Sequence, residues 1–432
     1  MKVVENAIFS EYVDYKMDEN ISIYEGKFII YLDKKYKCSG KLIYKMTPPT
    51  SINFKAEIIS AEEMDLALDY DDAILEVYGY KPMSITIHTI SDAKILGYVN
   101  DSFIKSKNAY VDYVDFQIVN LDKFPGKLIK HQDKLFAGRI QFDINEFTVT
   151  IDKRYDYRKE LKDDLRANAG TIITHVGRIT KRDNSLFKTR SINSLLDRIA
   201  ASLSFMCGRY VDICVAKGYN NDVNVFRLWR ENIITPFKFV PTWTDTLANY
   251  HNIEKYMSLM CKKLEDGYYG PAIKNIIDWY IESLGHLTLE NNIISIQVAL
   301  EALSYVVLVE QSKLMFDEEF DKNLASKNIR LLLSICKIPY GKEELNIFDN
   351  SIKNKFDDGV DLVIYYRNKI VHPSRKGHRA HLEVEDMWNI IQIGTRYIEL
   401  VLLSLIGYKG EYSNRLKERW FGEVDVVPWS VL

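Results

Sequence analysis

Arg367 and His372 stand five positions apart in the run Arg367-Asn368-Lys369-Ile370-Val371-His372, near the C-terminus. An imidazole exchanges protons near neutral pH, and a guanidinium holds a phosphodiester while charge builds on it. The pair is therefore suited to cleaving RNA without a metal. Asn368 lies four positions before His372, on the same helical face, where it can orient the imidazole or contact phosphate. Two assignments stay open: a catalytic pair, or a structural arginine with a histidine that caps a helix.

The surrounding pattern supplies the element. Phe356, Val360, Val363, Arg367 and Val371 recur at helical spacing, which predicts one amphipathic helix over Phe348–Val371, ended by Pro373. Arg367 falls on its inward stripe, where a charge is costly unless it is paired or serves a site. At about 100° per residue, positions five apart point roughly 140° away from each other. Arg367 and His372 therefore converge only if the last turn unwinds or a second copy of the chain approaches. Pro373 favours the first route, because it disfavours helical geometry at His372. The predicted helix Asn291–Lys313 is apolar nearly all round and so must be central, with one narrow polar stripe of Gln297, Glu301 and Ser304. A carboxylate there needs a cation. Arg367 is the economical partner for Glu301; the alternative is that Glu301 reaches solvent through a gap.

Within residues 361–381, Arg367, Lys369, Arg375, Lys376 and Arg379 face Asp361 alone. Arg375, Lys376, His378 and Arg379 read as a phosphate-binding rim for RNA, or else as a solvated loop. The net charge of −3 means that any RNA contact must be local. The 432 residues, 47% hydrophobic and 27% charged, are ordinary for a globular protein of two or three domains. Cys38, Cys207, Cys214, Cys261 and Cys336 are scattered without a CxxC pair, so no metal site, cofactor or disulfide framework is expected, and the compartment is expected to be reducing. The N-terminus lacks a signal-peptide core, and the apolar stretches near Ser304–Val309 and Leu400–Ile406 are too short to span a bilayer. A cytoplasmic protein with no membrane contact is the expectation.

The fold class expected is α+β, a β-rich N-terminal region followed by an all-α bundle. Residues 1–150 read as strands, including Ile21–Asp33 broken by a Glu25-Gly26 turn and a single strand over Arg139–Ile151, in a sandwich-like or barrel-like module. Residues 151–240 are mixed, with Phe226 and Trp229 expected to pack rather than to bind nucleic acid. Residues 241–410 read as six helices: Thr244–Leu264, Pro271–Leu284, Asn291–Lys313, Phe320–Ile335, Phe348–Val371 and Glu383–Ile406. The last carries a core-facing stripe. Residues 411–432 read as a tail.

The helices and the Arg367–His372 motif together resemble the HEPN superfamily of helical ribonuclease domains. The whole chain resembles the ApeA-like group of bacterial anti-phage proteins, on Glu25-Gly26-Lys27-Phe28, Ser39-Gly40-Lys41-Leu42, Asp197–Phe205 and Ile296–Leu303. That resemblance implies a metal-independent endoribonuclease acting in abortive infection. It implies a homodimer through the HEPN domain, with the two motifs facing each other. The substrate it implies is RNA, with tRNA or another translation-related RNA among the candidates. Analogy makes the N-terminal region a sensor or regulator answering to a phage-derived trigger. The rival reading is an inactive HEPN scaffold that pairs with a partner protein. A DNA-acting or nucleotide-transferring enzyme finds no P-loop, paired-carboxylate or zinc motif here.

Overall fold

The structure is a computed structural model. It describes residues 4–32, 34–60, 73–91, 93–106, 108–244, 249–285, 288–372, 383–418, 420 and 422–430. The chain divides into two compact units: Met1–Leu203 with Tyr210–Phe239, and Ser204–Arg209 with Val240–Leu432. Residues 151–240 thus go almost entirely with the first unit, and the segment after 411 goes with the second.

Period-two alternation of apolar side chains builds a closed antiparallel barrel in the first unit. Its strands are β1 (Ile21–Tyr31), β2 (Lys35–Lys45), β3 (Ser51–Ser60), β4 (Ile74–Glu76), β5 (Met83–Ser91) and β6 (Lys94–Val99), in the order β1-β2-β3-β6-β5-β4. Ile30, Tyr36, Leu42, Phe54 and Ile95 fill its interior. The expected Glu25-Gly26 turn is absent. Strand β1 runs straight through it, with Gly26 opposite Gly40 on β2. Gly40 is required by packing, since a Cβ there would run into the Lys55 carbonyl oxygen.

The rest of the first unit is an eight-stranded antiparallel sheet with flanking elements, one helix of which passes into the second unit from Ser204. The chain order is β7 (Phe103–Lys105), β8 (Tyr110–Val111), β9 (Tyr113–Val119), β10 (Lys127–His131), β11 (Lys134–Ile144), β12 (Phe147–Lys153), α1 (Lys159–Asn168), β13 (Ile173–Lys181), β14 (Phe187–Lys188), α2 (Ile192–Cys207), β15 (Asp212–Asn220) and β16 (Val223–Trp229). The sheet order is β10-β11-β12-β13-β9-β15-β16-β7, and β8 pairs with β14 apart from it. The single strand expected over Arg139–Ile151 is instead two strands, β11 and β12, joined at Asn145, which takes the positive φ of 52° that such a tight turn demands. Phe226 and Trp229 are buried, as their packing role requires, and Trp229 lies 5.3 Å from the Tyr44 ring.

His175, on β13, is fully buried between the rings of Phe124, 5.0 Å away, and Tyr157. Its Nδ1 meets the Thr174 hydroxyl at 3.0 Å, while Nε2 has no hydrogen-bond partner. Burial, aided by Lys153, holds its pKa well below the usual histidine value, so the ring stays neutral.

The second unit is helical. It contains α3 (Tyr250–Leu264), α4 (Tyr269–Glu282), α5 (Leu289–Tyr305), α6 (Asp317–Lys322), α7 (Ala325–Ile335), α8 (Asn350–Lys353), α9 (Gly359–Val371) and α10 (Val384–Leu405), then a small β17 (Glu411–Tyr412) and β18 (Asp425–Val426) pair. Two expected helices are each broken in two. Asn323 is extended (φ −78°, ψ 151°) between α6 and α7, and Asp358 (φ −158°, ψ 175°) opens α9 well after α8 has ended. Helix α5 continues into a π-helical turn, Val306–Gln311. By length and composition alone, Leu289–Gln311, which takes in the short apolar stretch Ser304–Val309, could cross a membrane. Of its most apolar window 67% is buried inside the protein, and α4, α7, α9 and α10 pack against it.

Helix α10 is buried all round rather than along one stripe: every residue from Ile390 to Leu403 is covered. Glu399, 1% exposed, is a charge within that stretch, tolerated because every side of its carboxylate is met. Its carboxylate accepts from Arg415 Nε and Nη2, both at 2.8 Å, from Tyr280 Oη at 2.6 Å and from the Trp243 backbone N–H at 3.1 Å. Arg415 also donates to Gln392 Oε1 at 3.0 Å. The segment expected to be a tail therefore inserts a guanidinium into the bundle.

Two measurements check these assignments. His175 binds a proton more readily unfolded than folded, so its contribution to stability is complete above about pH 6.5 and is lost as the pH falls below that, by about 1.4 kcal/mol per pH unit. Urea midpoints at pH 7.5 and 5.5 should show a smaller acid loss for His175→Phe than for the natural protein. Arg415→Met strands the buried Glu399 and should cost about 3–5 kcal/mol in denaturant titrations; a change below 1 kcal/mol, well under that buried-pair range, would remove this pair from its central role.

Candidate functional site

Helix α9 carries the motif, and its start is fixed from two sides. The Asp358 carboxylate accepts from the Asp361 N–H at 2.7 Å, a regular N-cap, and from Arg330 of α7 at 2.6 and 3.1 Å. Gly359 permits close approach to α10, because a Cβ there would meet the Tyr397 hydroxyl. Helix α9 also packs on α5 and α7. The helix axis, and hence the direction of its last turn, is set by these contacts.

At the other end His372 has left helical geometry (φ −118°, ψ 72°), as a residue before proline should. Its side chain is exposed, and its backbone N–H donates to the Asn368 carbonyl at 2.9 Å. Arg367 is half-buried. Its Nη1 donates to Asn368 Oδ1 at 3.2 Å, while its Nε is buried with no hydrogen-bond partner. Asn368 is thus the physical link between the two, through its side chain to Arg367 and its backbone to His372.

The expected Glu301–Arg367 ion pair does not form. Glu301 instead accepts from Gln297, one turn back on α5, and Arg367 turns to Asn368. The reason is local: an i, i+4 partner on the same helix satisfies the half-buried carboxylate without reaching across to α9. Arg375, Lys376, His378 and Arg379, the expected RNA-binding rim, lie outside the described residues, as does Pro373.

One side of the site was not visible in the sequence. Lys355, from the turn before α9, places its ammonium 4.4 Å from the Tyr365 ring centroid and 3.2 Å from the Tyr365 hydroxyl. Lys369 lies 5.5 Å from the same ring. At 100° per residue, Tyr365, Asn368, Lys369 and His372 share one face of α9. The result is a basic and aromatic surface beside the imidazole, of a kind that suits a nucleic-acid backbone and base. The clue lay in Lys355-Phe356 and Tyr365-Tyr366, but only the break at Asp358 brings them together. Among the described residues no cluster of three or more His, Cys, Asp or Glu is placed to hold a metal, and the five cysteines are buried, none of them in a disulfide.

Two family models match the chain. One, described as the YopA central domain, covers residues 106–240, and the other, the YopA C-terminal domain, covers residues 266–427. The second includes Arg367, Asn368 and His372. The chain is also similar to the SPbeta prophage-derived protein YopA of Bacillus subtilis strain 168, at 29% identity over 438 residues that span 98% of each chain. No solved structure matches.

The geometry separates a structural motif from a functional one by stability alone. His372→Ala removes an exposed side chain and should shift unfolding by no more than about 0.5 kcal/mol. Asp358→Ala removes a cap and the partner of Arg330, and should cost about 1–2 kcal/mol. Equal losses in denaturant titrations would make His372 a cap in its own right.

Proposed function

We propose that this chain is a metal-independent endoribonuclease of the HEPN type. One observation carries the reading: an exposed imidazole on a non-helical cap residue is linked through Asn368 to a guanidinium whose Nε lacks an acceptor. In the reaction the ribose 2′-OH attacks its own phosphodiester, and the bond from phosphorus to the 5′ oxygen breaks. A 2′,3′-cyclic phosphate and a 5′-OH remain. His372 moves the proton, as base toward the 2′-OH or as acid toward the leaving oxygen. Arg367 stabilises the charge that builds on phosphorus-bound oxygens through its planar fork. Tyr365, Lys355 and Lys369 hold the RNA beside His372, with Arg375, Lys376, His378 and Arg379 as further phosphate contacts.

Arg367 and His372 leave α9 in different directions, so the complete site is formed by two copies with their motifs opposed. The cell context proposed is cytoplasmic anti-phage defence by abortive infection, with tRNA or another translation-related RNA as target and a phage-derived trigger. A similar protein derived from a prophage fits a part in the contest between phage and host. The second reading is an inactive HEPN scaffold, favoured by the half-burial of Arg367 in the bundle.

Total cellular RNA incubated with the purified protein in the presence of a chelator tests the two. Cleavage that persists with chelator, leaves cyclic phosphate ends and falls at least about a hundredfold in His372→Ala supports the nuclease. Substrates with a single 2′-deoxy ribose should resist cutting at that position. Cutting of fully deoxy substrate would sink the 2′-OH mechanism.

A further inference from the structure

The first unit contains a cavity of about 210 Å³ on one face of the eight-stranded sheet, lined by Glu11, Tyr12, Tyr113, Asp115, Arg178 and Lys217 among others. Of its lining, Asp115, Arg178 and Lys217 lie in one row of the sheet, and Arg227 continues that row beside Lys217. Arg178 on β13 pairs with Asp115 on β9, Asp115 with Lys217 on β15, Lys217 with Arg227 on β16, and Arg227 with Lys105 on β7. Directly opposed residues of antiparallel strands share a face, so these five side chains form one row across the sheet. The row holds four cations and one carboxylate.

Part of that charge is matched within the fold. Arg178 donates to Asp115 through Nε at 2.7 Å and Nη2 at 2.8 Å, and Lys217 pairs with Glu11. Glu11 comes from the N-terminal segment, and its side chain is half exposed. Arg227 keeps a buried Nε without a hydrogen-bond partner. Lys105, two strands from Lys217, does not line the cavity; without it, and with Glu11 moved aside, Arg178, Lys217 and Arg227 against Asp115 leave two positive charges, the amount that a phosphomonoester dianion balances. An uncompensated cation in a half-buried site is costly to the fold, which is what an anion-binding site accepts.

The walls are aromatic. Tyr113 and Tyr219 stack at 5.0 Å and 19°, Arg178 lies 4.0 Å over the Tyr113 ring, Lys217 sits 4.9 Å from the Tyr12 ring, and Phe9 stands 73% exposed at the rim. Rings together with a few convergent charged groups suit a flat organic body attached to an anion.

We propose that this cavity binds a small phosphomonoester bearing a flat ring, of the nucleoside monophosphate class, with Lys217 and Arg227 on the phosphate and the tyrosines against the ring. The ligand displaces Glu11, which holds the place of the phosphate in the free protein. Burial and Arg227 bring the Lys217 ammonium from its ordinary 10.5 down to about 7, against the pull of Glu11. Asp115, Arg178, Tyr12 and Tyr219 complete its charged and titratable surroundings. Binding should therefore weaken as the pH rises past 7.

The test is calorimetry and thermal unfolding of the full chain with a nucleoside monophosphate, the same nucleoside without phosphate, and inorganic phosphate. The nucleoside monophosphate should bind and raise the unfolding temperature, the bare nucleoside should not, and inorganic phosphate should bind more weakly. Lys217→Met and Arg227→Gln should each weaken binding roughly ten- to hundredfold. Absence of saturable binding, or affinity unchanged in both variants, would overturn the site. Inorganic phosphate binding as tightly as the nucleotide would overturn the ring-bearing ligand. His372→Ala should bind as the natural protein does, so this result stands or falls apart from the nuclease reading.

Discussion

The helical unit is organised around one buried negative charge. Glu399 sits on a stretch of α10 with no solvent-facing side, and an ion there survives only with nearly every lone pair answered. Arg415, Tyr280 and the Trp243 backbone answer it, and they come from the C-terminal segment, from α4 and from the loop before α3. Three stretches of chain distant in sequence must arrive before the charge can be buried. Satisfying the ion pair and completing the bundle are therefore the same event. Helix α9 inherits its position from α10 through the contact between Gly359 and Tyr397 and from α7 through Asp358.

The arginines divide by how far the fold uses their donors. Arg139 gives its guanidinium to Asp152, Glu5 and a backbone carbonyl, and Arg154 gives its own to Asp156 and two carbonyls. These side chains hold structure and have little left for a ligand. Arg367 and Arg227 each retain a buried Nε without an acceptor. Unmet donors cost stability, and Arg230 and Arg396 leave one each as well while pairing with Asp197 and Glu344, so an orphaned donor alone does not mark a ligand site.

Much of the architecture was legible from periodicity. Alternation marked the N-terminal strands, and 3.6-residue spacing marked the helices after Trp243. Closure of the barrel was not legible, because it depends on β4, three residues long, pairing with β1 across a large separation. The breaks at Asn323 and Asp358 were hidden because apolar spacing continues across them, although Asp358-Gly359 is an N-cap signal in retrospect. Arg367 and His372 could be found by residue type and spacing. The partner of Glu301 could not, since a choice between Gln297 and Arg367 is settled by side-chain reach. The row from Arg178 to Lys105 joins five strands, and no linear pattern records it.

Gly359 and Tyr397 meet so closely that the space for a side chain at one position is taken by the hydroxyl of the other. Over the history of such chains, the two positions are not free to change separately. A residue larger than glycine at 359 can be accepted only after 397 has shed its hydroxyl or its ring. Lineages should therefore show an order of replacement, with 397 changing first and even then only a small residue following at 359, because the Ile393 Cγ2 methyl stands 3.1 Å from the same space.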